Sequence, residues 1–505
     1  MVLSSALYGI EGHTVYVETD LGEGLPAFNL VGLPDSSVKE AKDRVQTSIK
    51  NSGYYFPVKK ITINLAPADI RKEGSSFDLP IAVGILSCMG VIEQEKIKDT
   101  LIIGELSLNG AVKPVNGILP MVYSAYKAGI SKCIIPADNA EEAAIVENME
   151  IISVNSLRDI ISHLNTSKPI TPFKSKISKF SNIINPYKLD FSDVKGQESI
   201  KRAIEVAAAG MHNFLMIGPP GSGKTMLAKR VPSILPALTF EESIEVTKIH
   251  SVSGLLKNKG TLITQRPFRS PHHTISASAL TGGGRIPKPG EISLAHNGIL
   301  FLDEFAEFNK STLEVMRQPL ENGEVTISRV NGTITYPSRF MLIASLNPCP
   351  YGSYPDTEKC HCTPNEIKKY LGKISKPLLD RIDIQQEVLA VNYSELNCRN
   401  KSESSEEIRK RVSAAHILQQ TRYENENILF NSQMSSSQVE KYCIIAEGGE
   451  DLLKNAFDKL QLSARAYHRI LKVARTIADL EGSEKIEICH LAEAIQYRNL
   501  DRKFF

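Results

Sequence analysis

The stretch FLMIGPPGSGKT, at residues 214–225, constrains the fold of this 505-residue chain more than any other. An apolar run leads into G-x-x-x-x-G-K-T and then into a helical pattern, which is the context that a phosphate-binding loop requires. The glycines let consecutive backbone N–H groups turn toward a phosphate, Lys224 can reach the β and γ oxygens, and Thr225 offers its hydroxyl to Mg²⁺. The sequence therefore predicts an α/β domain that binds a nucleoside triphosphate. The predicted loop residues are Gly218, Pro219, Pro220, Gly221, Ser222, Gly223, Lys224 and Thr225.

A second strand carries the carboxylates that hydrolysis needs. GILFLDEF, at residues 298–305, predicts a buried strand that delivers Asp303 for Mg²⁺ and Glu304 to polarise the attacking water. An adjacent Asp–Glu pair at the end of a buried strand favours hydrolysis over nucleotide binding alone. A third strand, RFMLIASLNP, ends in Asn347, whose side chain can orient that water, although Asn-Pro is also a common strand stop.

Two arginines downstream suit the same reaction. Arg381 lies between acids in KPLLDRID, and Arg465 opens the helical pattern LSARAYHRILKVAR. Each arginine alone is typical of a surface or a salt bridge. In an ATPase with this order of motifs, Arg381 fits a finger that acts in trans on a neighbouring subunit, and Arg465 fits a lid sensor that acts in cis.

The composition is that of an ordinary globular protein. The formal net charge is only +2, so any contact with nucleic acid must come from locally arranged charge. The longest nearly apolar run, Leu79–Ile92, contains a proline and is shorter than the roughly 20 residues of a membrane span, so it predicts a buried helix. The first residues, MVLSSALYGIEG, lack the pattern of a secretory signal, and we expect a cytoplasmic protein with no membrane contact.

The order of these motifs resembles that of AAA+ ATPases. The segments RPFRSPHHTISASALTGGGRIPKPGEISLAHNGILFLDE and ENGEVTISRVNGTITYP resemble the magnesium-chelatase-like branch, specifically the ComM/YifB family of competence-related DNA helicases. The resemblance covers essentially the whole chain and implies ATP and Mg²⁺ as cofactors. It also implies that DFSDVKGQESIKRAIEVAAAG lies on the adenine side of the nucleotide, with Val194, Gly196 and Gln197 near the base.

The resemblance further implies what the chain does. From the resemblance to this family we expect a homo-hexameric ring that acts on single-stranded or branched DNA. It would be a helicase or branch-migration motor in homologous recombination during natural transformation. Recombination proteins would be further partners. The alternative is a chelatase-type or MoxR-like AAA+ chaperone that remodels a protein partner or drives metal insertion into a porphyrin.

The N-terminal segment is similar to the Lon protease domain, a ribosomal S5-type α/β fold. GELSLNGAVKPVNGILPMVYSAYKAGISKCIIP, from Gly104, carries this similarity, and KEGSSFDLPIAVGIL places Ser76 where that family keeps its nucleophile. Such a serine needs a lysine as its base. Leu119 stands at the lysine position, so we expect a non-proteolytic domain and disfavour an ATP-dependent protease.

These patterns predict three folded domains and one linker. Residues 1–164 form the Lon-like domain, 165–189 a basic linker, 190–395 the AAA+ domain, and 396–505 an all-helical lid. Within the AAA+ range, a polar insertion at about 250–296 and a β-hairpin around residues 330–333 fit pore-lining elements of related rings. The basic residues that could contact a phosphate backbone there are Lys257, Lys259, Arg285, Lys288 and Arg329. An exposed face or a subunit contact is the alternative for each, and Arg329 could equally serve a neighbouring ATP site.

A cysteine-rich stretch, NPCPYGSYPDTEKCHC, follows the third strand. It resembles a ComM-family knuckle with two C-x-C pairs, of which this chain keeps Cys349, Cys360 and Cys362 and has Tyr351 at the remaining position. Structural zinc takes four N or S ligands, so His361, water or another side chain would complete the site. Bound zinc, a plain structural loop and a redox role remain open at this point.

Overall fold

A computed structural model gives the fold of the protein. It describes residues 1–165, 167–174, 187–256, 262–284, 287–329, 332–352, 354, 360–389, 402–460, 463–498 and 500. The chain divides by its internal contacts into two compact units. The first unit comprises Met1–Ile183 with Phe240–Ile263, and the second comprises Ile184–Thr239 with Thr264–Phe505. Phe240–Ile263 thus clusters with the first unit, although in sequence it lies inside the range predicted for the AAA+ domain.

The first unit is built on a seven-stranded mixed sheet. The strands of this unit, including the short β6–β7 hairpin, are β1 (Val2–Tyr8), β2 (Glu11–Gly22), β3 (Ala27–Val31), β4 (Lys60–Ala66), β5 (Thr100–Ile102), β6 (Glu105–Leu106), β7 (Val112–Lys113), β8 (Lys132–Pro136) and β9 (Glu150–Val154). The sheet order is β3-β4-β2-β1-β5-β8-β9, with antiparallel pairs at β1–β2 and β2–β4 and parallel pairs elsewhere.

Helices cover both faces of this sheet. They are α1 (Ser36–Lys39), α2 (Ala41–Asn51), α3 (Asp78–Cys88), α4 (Ile118–Lys127), α5 (Ala140–Ala143), α6 (Leu157–Leu164) and α9 (Phe240–Val252). Neighbouring strand residues alternate between two apolar clusters, because side chains of a strand point to opposite faces. Ile102 and Ile134 belong to the cluster that includes α3, whereas Leu101 and Cys133 belong to the cluster that includes α4. The buried helix predicted within Leu79–Ile92 is confirmed as α3.

Helix α9 is anchored on the first unit by charged and aromatic contacts. The ammonium group of Lys248 lies 3.2 Å from a carboxylate oxygen of Glu11 and 4.5 Å from the centre of the Tyr123 ring. The hydroxyl of Ser251 donates a 2.5 Å hydrogen bond to Glu142. These contacts explain why the segment clusters with the first unit.

The second unit is built on a five-stranded parallel sheet. The strands of this unit are β10 (Phe214–Ile217), β11 (Phe268–Arg269), β12 (Gly282–Gly283), β13 (Lys288–Pro289), β14 (Ile299–Leu302), β15 (Glu324–Arg329), β16 (Gly332–Pro337), β17 (Met341–Leu346) and β18 (Ile384–Glu387). The sheet order is β11-β14-β17-β10-β18, and every pair is parallel. Strands β10, β14 and β17 are buried along their whole length, as expected of a parallel sheet with both faces covered. Their C-terminal ends meet at one edge, where the site residues lie.

The remaining helices belong to this second unit. They are α7 (Glu198–Gly210), α8 (Lys224–Ala228), α10 (Ala277–Thr281), α11 (Glu291–Leu294), α12 (Lys310–Glu314), α13 (Arg317–Asn322), α14 (Pro364–Leu371), α15 (Lys376–Leu379), α16 (Ser405–Arg422), α17 (Ser436–Tyr442), α18 (Gly449–Leu460), α19 (Ala464–Leu480) and α20 (Ile488–Gln496). The predicted helical pattern of the last segment is confirmed, because Ala466, Ile470, Val473 and Ile477 form the buried side of α19. Among the described helices, none has the length and apolar character to cross a bilayer.

The hairpin predicted around residues 330–333 is confirmed as β15 and β16, which pair antiparallel from Glu324↔Pro337 to Arg329↔Gly332. Residues 330 and 331, where the turn was predicted, lie outside the described residues. A ribbon of β12 and β13 packs beside the hairpin, since the Tyr336 hydroxyl donates a 2.8 Å hydrogen bond to the carbonyl of Pro287.

Candidate functional site

The phosphate loop follows β10 directly and leads into α8, as the sequence predicts. Gly223 adopts φ = 89° at the start of α8, a left-handed conformation that favours glycine. The Lys224 ammonium group folds back onto this loop and donates to the carbonyls of Gly218 at 2.7 Å and Pro219 at 2.8 Å. It also donates to Oδ1 of Asn347 at 3.1 Å, so the first and third predicted strands meet here.

Burial lowers the pKa of Lys224 to about 8, while the nearby charges of Asp303 and Glu304 act in the opposite direction. A lysine with this pKa is still largely protonated at neutral pH. The Lys224 cation is partly desolvated, and Asp303 and Glu304 stabilise its charge only through coulombic interactions. An incoming phosphate would therefore be a strong partner for it.

Asp303 is held by three donors at the end of β14. Its Oδ2 accepts a 2.6 Å hydrogen bond from Thr225, and its Oδ1 accepts hydrogen bonds from Ser345 and from the backbone N–H of Glu304. The hydroxyl of Thr225 and the carboxylate of Asp303 thus form an adjacent pair of hard oxygen ligands. This donor set fits Mg²⁺, which prefers one or two carboxylates together with substrate phosphates and water.

Glu304 lies next to Asp303 with a half-exposed carboxylate and a backbone φ of 53°. Its Oε2 lies 3.2 Å from Nδ1 of His273, a residue that the sequence reasoning did not single out. The sequence has no local signal for this contact, because it depends on the pairing of β11, which precedes His273, with β14.

The adenine-side segment also lies against the loop. Gln197 has φ = 58° and donates through Nε2 to the carbonyls of Ser222 at 2.9 Å and Leu389 at 3.0 Å. Gly196 has a positive φ as well, and Val194 is buried with its carbonyl accepting a hydrogen bond from Ser402. The structure therefore brings this segment to the phosphate loop.

The two candidate arginines lie together in a different place. Both line a cavity of about 590 Å³ whose wall contains none of the phosphate-loop residues and none of residues 298–305. Arg381 is largely buried, donates to the carbonyl of Pro377 at 2.6 Å and pairs with Glu321. The pKa of Glu321 is lowered, first by its hydrogen bond and charge interaction with Arg381 and also by the charge of Arg465.

The wall of this cavity contains more basic than acidic side chains. Beside the two arginines, its wall contains Arg339, His468, Arg469 and Lys472. Asp383 compensates part of this charge: burial acts to raise its pKa, but Arg469 at 3.6 Å and His212 at 3.4 Å lower it overall. Arg381 itself keeps its Nε buried without a hydrogen-bond partner among the described residues.

Family models match almost the whole chain. A model described as magnesium chelatase, subunit ChlI, matches residues 190–396, and two others for the same subunit match residues 17–139 and 402–498. Competence protein ComM from Haemophilus influenzae is 43% identical over 99% of this chain and 98% of its own length. The chain belongs to the ComM/YifB family of magnesium-chelatase-like proteins. An uncharacterized YifB protein from Escherichia coli is 41% identical over a similar extent.

Membership in the ComM/YifB family indicates an AAA+ ATPase that uses ATP and Mg²⁺. The similarity to Lon is also supported, because Lon protease 2 from Bacillus subtilis is 32% identical over 151 residues, or 26% of its length. In this ComM/YifB protein, Leu119 is fully buried in α4, and its backbone N–H donates to Glu142 at 3.1 Å. The residue that the sequence analysis expects at the Lon lysine position is therefore part of the apolar core.

The three cysteines of the ComM/YifB chain form one cluster. The sulfur atoms of Cys349, Cys360 and Cys362 all lie within 4.8 Å of one another, and Cys349 and Cys360 are 3.6 Å apart. The buried Cys349 sulfur accepts hydrogen bonds from the N–H groups of Gly352 at 3.1 Å and Tyr354 at 3.5 Å. His361 is not part of this cluster among the described residues, and Tyr351 is 70% exposed.

Burial raises the pKa of the Cys362 thiol to about 11, and the neighbouring Cys349 and Cys360 add to this rise. The Cys362 thiol thus resists deprotonation unless a cation replaces its proton. The loop also touches the phosphate loop, since a Cβ on Gly352 would lie 2.4 Å from Cδ of Pro220.

Of the five predicted DNA-contacting residues, two can be placed. Lys288 lies on β13 and Arg329 on β15, and both are exposed. Gly283 in β12 pairs with Lys288 in β13, and a Cβ on Gly283 would lie 3.2 Å from Nη2 of Arg329. Lys288 and Arg329 therefore flank the same strand, β12. Lys257, Lys259 and Arg285 lie outside the described residues.

One further site residue was missed. Ser345 donates to Asp303 and is fully buried in β17, where its neighbours are apolar. A hydroxyl within a strand that is otherwise apolar needs a hydrogen-bond partner, and this was the signal available in MLIASL.

Proposed function

We propose that this ComM/YifB protein is an ATP- and Mg²⁺-dependent motor on DNA. It would act as a helicase or branch-migration enzyme in homologous recombination of incoming DNA during natural transformation. The observation that carries the motor part is the meeting of Lys224, Asp303 and Asn347 at one edge of a parallel sheet.

Each residue at this edge has a distinct role in the proposal. The loop N–H groups and Lys224 bind the phosphates, and Thr225 with Asp303 would hold Mg²⁺. When bound, Mg²⁺ would neutralise charge on the β- and γ-phosphates. Glu304 accepts a proton from the attacking water, and Asn347 orients that water.

The assembly proposed is a homo-hexameric ring with ATP bound between neighbouring subunits. Arg381 and Arg465 share one basic cavity that contains no phosphate-loop residue, which supports a role for this surface at a neighbour's nucleotide. We therefore propose that both arginines act in trans, whereas the sequence alone favoured a cis role for Arg465. A heterologous contact of this kind closes into a ring when its rotation allows.

DNA is proposed to contact the hairpin and the adjacent ribbon. Arg329 and Lys288 are exposed and flank the same strand, so they could bind successive backbone phosphates. Lys257, Lys259 and Arg285 complete the proposed set. The name of the Haemophilus relative, a competence protein, supports DNA as the substrate class.

The cysteine cluster is proposed to bind Zn²⁺ through Cys349, Cys360 and Cys362. Thiolates at this separation suit zinc, and the two N–H···S contacts to Cys349 favour a thiolate there. A fourth ligand would come from water, because Tyr351 occupies the remaining position of the knuckle.

A second candidate function is a chelatase-type or MoxR-like chaperone that remodels a protein partner. The match to the magnesium chelatase model over residues 190–396 favours it. Steady-state ATPase activity separates the two candidates, measured without DNA and with single-stranded, duplex and four-way-junction DNA. Lys224→Ala gives the blank. Stimulation by DNA that weakens with added salt supports the DNA motor, whereas an equal rate in all conditions supports the protein partner.

A further inference from the structure

The turn that begins at Cys349 packs directly against the phosphate loop. Gly352 in this turn has φ = 81°, and its N–H donates to Sγ of Cys349 at 3.1 Å. A Cβ on Gly352 would lie 2.4 Å from Cδ and 3.0 Å from Cγ of Pro220. Carbon atoms in contact prefer a separation of about 3.5–4.0 Å, so the backbone of Gly352 lies too close to the Pro220 ring for any side chain to fit between them.

A second contact joins the other side of Cys349 to the same loop. Asn347, two residues before Cys349, accepts a 3.1 Å hydrogen bond from the Lys224 ammonium group through its Oδ1. Cys349 is fully buried, and in sequence it lies between the two residues that make these contacts, Asn347 and Gly352. The chain around the Cys349 sulfur is therefore tied to the phosphate loop on both sides.

The other two cysteines of the cluster lie at the start of α14. Cys360 and Cys362 precede Thr363, the N-cap of α14, whose hydroxyl accepts a 3.3 Å hydrogen bond from the N–H of Glu366. Their sulfur atoms lie within 4.8 Å of each other and of the Cys349 sulfur. An ion bound by all three sulfurs would connect the capped end of a helix to the turn at Cys349. Such a connection restricts the turn, because a cross-link lowers the conformational freedom of the loop that it closes.

We propose that Zn²⁺ binding at the cysteine cluster fixes the phosphate loop in its nucleotide-binding conformation, so that Zn²⁺ and Mg·nucleotide each strengthen the binding of the other. This inference rests on the zinc site of the proposed function. The path between the two sites is short. The Cys349 sulfur holds the N–H groups of Gly352 and Tyr354, and Gly352 packs on Pro220.

The coupling has a physical cause at each step of this path. A metal-bound thiolate accepts hydrogen bonds more strongly than a thiol does, because hydrogen bonds to a charged acceptor are the stronger ones. A turn that is held more firmly restricts the Pro220 ring that packs on it. The phosphate loop is then ordered before the phosphates arrive, and nucleotide binding costs less conformational entropy.

The competing explanation is a zinc site that stabilises the fold around it and has no effect on the nucleotide. The two explanations differ in linkage, because coupling between two ligands is reciprocal. In our proposal, each ligand raises the affinity of the folded protein for the other by the same factor. In the competing explanation, neither affinity depends on the other ligand.

The first measurement is the zinc affinity of the full chain, which requires only the zinc-loaded protein. Zinc is titrated away with a chromophoric chelator, with and without saturating Mg·ADP. We expect Mg·ADP to tighten zinc binding about tenfold. Lys224→Ala is the control, because it lacks the lysine that binds the phosphates and retains the three cysteines. The change that Mg·ADP causes in this variant measures the capture of zinc by nucleotide in solution.

The second measurement is the reciprocal one. The Kd of a fluorescent ADP analogue with Mg²⁺ is measured for the zinc-loaded protein and for protein stripped with phenanthroline. We expect a Kd about tenfold higher after stripping, restored when Zn²⁺ is added back. Far-UV circular dichroism verifies that the stripped protein is folded.

Two proline variants test the path of coupling. Pro220→Ala removes the ring carbons that contact Gly352 and retains all three cysteines, so we expect about one zinc per chain and a coupling below about twofold. Pro219→Ala is the matched control, since it changes the neighbouring proline and retains the Pro220 ring; its coupling should stay near tenfold.

Two results overturn the inference. One is a wild-type protein that binds zinc with the same affinity in the presence and absence of Mg·ADP. The other is full coupling in Pro220→Ala. A wild-type protein that binds no zinc after reconstitution overturns the proposed zinc site instead.

Discussion

Mixing two inactive variants tests where Arg381 and Arg465 act. Arg381→Ala retains a complete phosphate loop and lacks one arginine of the basic cavity, whereas Lys224→Ala lacks the loop lysine and retains the cavity. If ATP lies between subunits, an interface formed by the loop of the first variant and the arginines of the second has every catalytic group. Each variant alone has no complete interface.

The expected magnitudes follow from the geometry of the cavity. The buried Arg381 guanidinium is fixed by its hydrogen bond to the carbonyl of Pro377 and by its ion pair with Glu321. Loss of an arginine finger costs roughly 10³–10⁵ in kcat, so Arg381→Ala alone should be at background. In randomly mixed rings about one interface in four combines an intact loop with an intact cavity, and an equal mixture should recover about a quarter of wild-type activity.

The same experiment with Arg465→Ala separates trans from cis action. In trans, an equal mixture with Lys224→Ala also recovers about a quarter of the activity, because the arginine is supplied by the neighbour. In cis, no subunit in the mixture contains both Lys224 and Arg465, and the mixture stays inactive. The structure favours trans, since Arg465 lines the same cavity as Arg381.

The assay is ATP hydrolysis after subunit exchange. The control for exchange is wild type mixed equally with the double variant Lys224→Ala/Arg381→Ala, whose activity should fall from about a half to about a quarter of the wild-type value when subunits exchange. If the mixture of Arg381→Ala with Lys224→Ala is as inactive as each variant alone, although the control shows exchange, ATP binding between subunits is refuted. Recovery with Arg381→Ala but not with Arg465→Ala would refute only the trans role of Arg465.

Three further predictions concern stability and metal binding. Asp479→Ala should lower the free energy of unfolding by about 3 kcal/mol in urea titrations, because it removes the buried acceptor of Arg422 and leaves that charge unpaired. Lys248→Glu should lower it by about 1 kcal/mol, and a charge swap with Glu11→Lys should recover part of this loss, whereas no recovery would contradict the α9 anchor. The purified protein should contain about one zinc per chain by elemental analysis, lost in Cys360→Ser and held more tightly in Tyr351→Cys.

The phosphate site could be predicted from the sequence because its chemistry is local. A loop that encloses phosphate needs glycines and a lysine at fixed spacing, and a strand that ends in Asp-Glu needs only an apolar run before it. The structure brings Lys224, Thr225, Asp303 and Asn347 together accordingly.

Other features depend on strand order and register, which one sequence does not encode locally. The contact of His273 with Glu304 requires that β11 and β14 pair in one register. The shared cavity of Arg381 and Arg465 requires that the lid helix α19 return to the end of α15, although 84 residues separate them. The attachment of Phe240–Ile263 to the first unit likewise depends on contacts with residues more than 100 positions away.

The basic residues are a different case. Lys288 was selected by its charge in the polar insertion and Arg329 by its charge in the predicted hairpin, and charge alone does not distinguish a DNA contact from a solvated face. The structure adds that they flank one strand of the ribbon, which is a condition for a shared contact.

The central claim, a motor on DNA driven by ATP hydrolysis, is tested most directly by strand separation. A labelled four-way junction and a forked duplex are incubated with the full chain and ATP, with Glu304→Gln as the matched variant that retains the phosphate loop. The account predicts ATP-dependent separation of the strands by the wild type and none by Glu304→Gln or with a non-hydrolysable analogue. Vigorous ATP hydrolysis by the wild type with no strand separation on either substrate would contradict it.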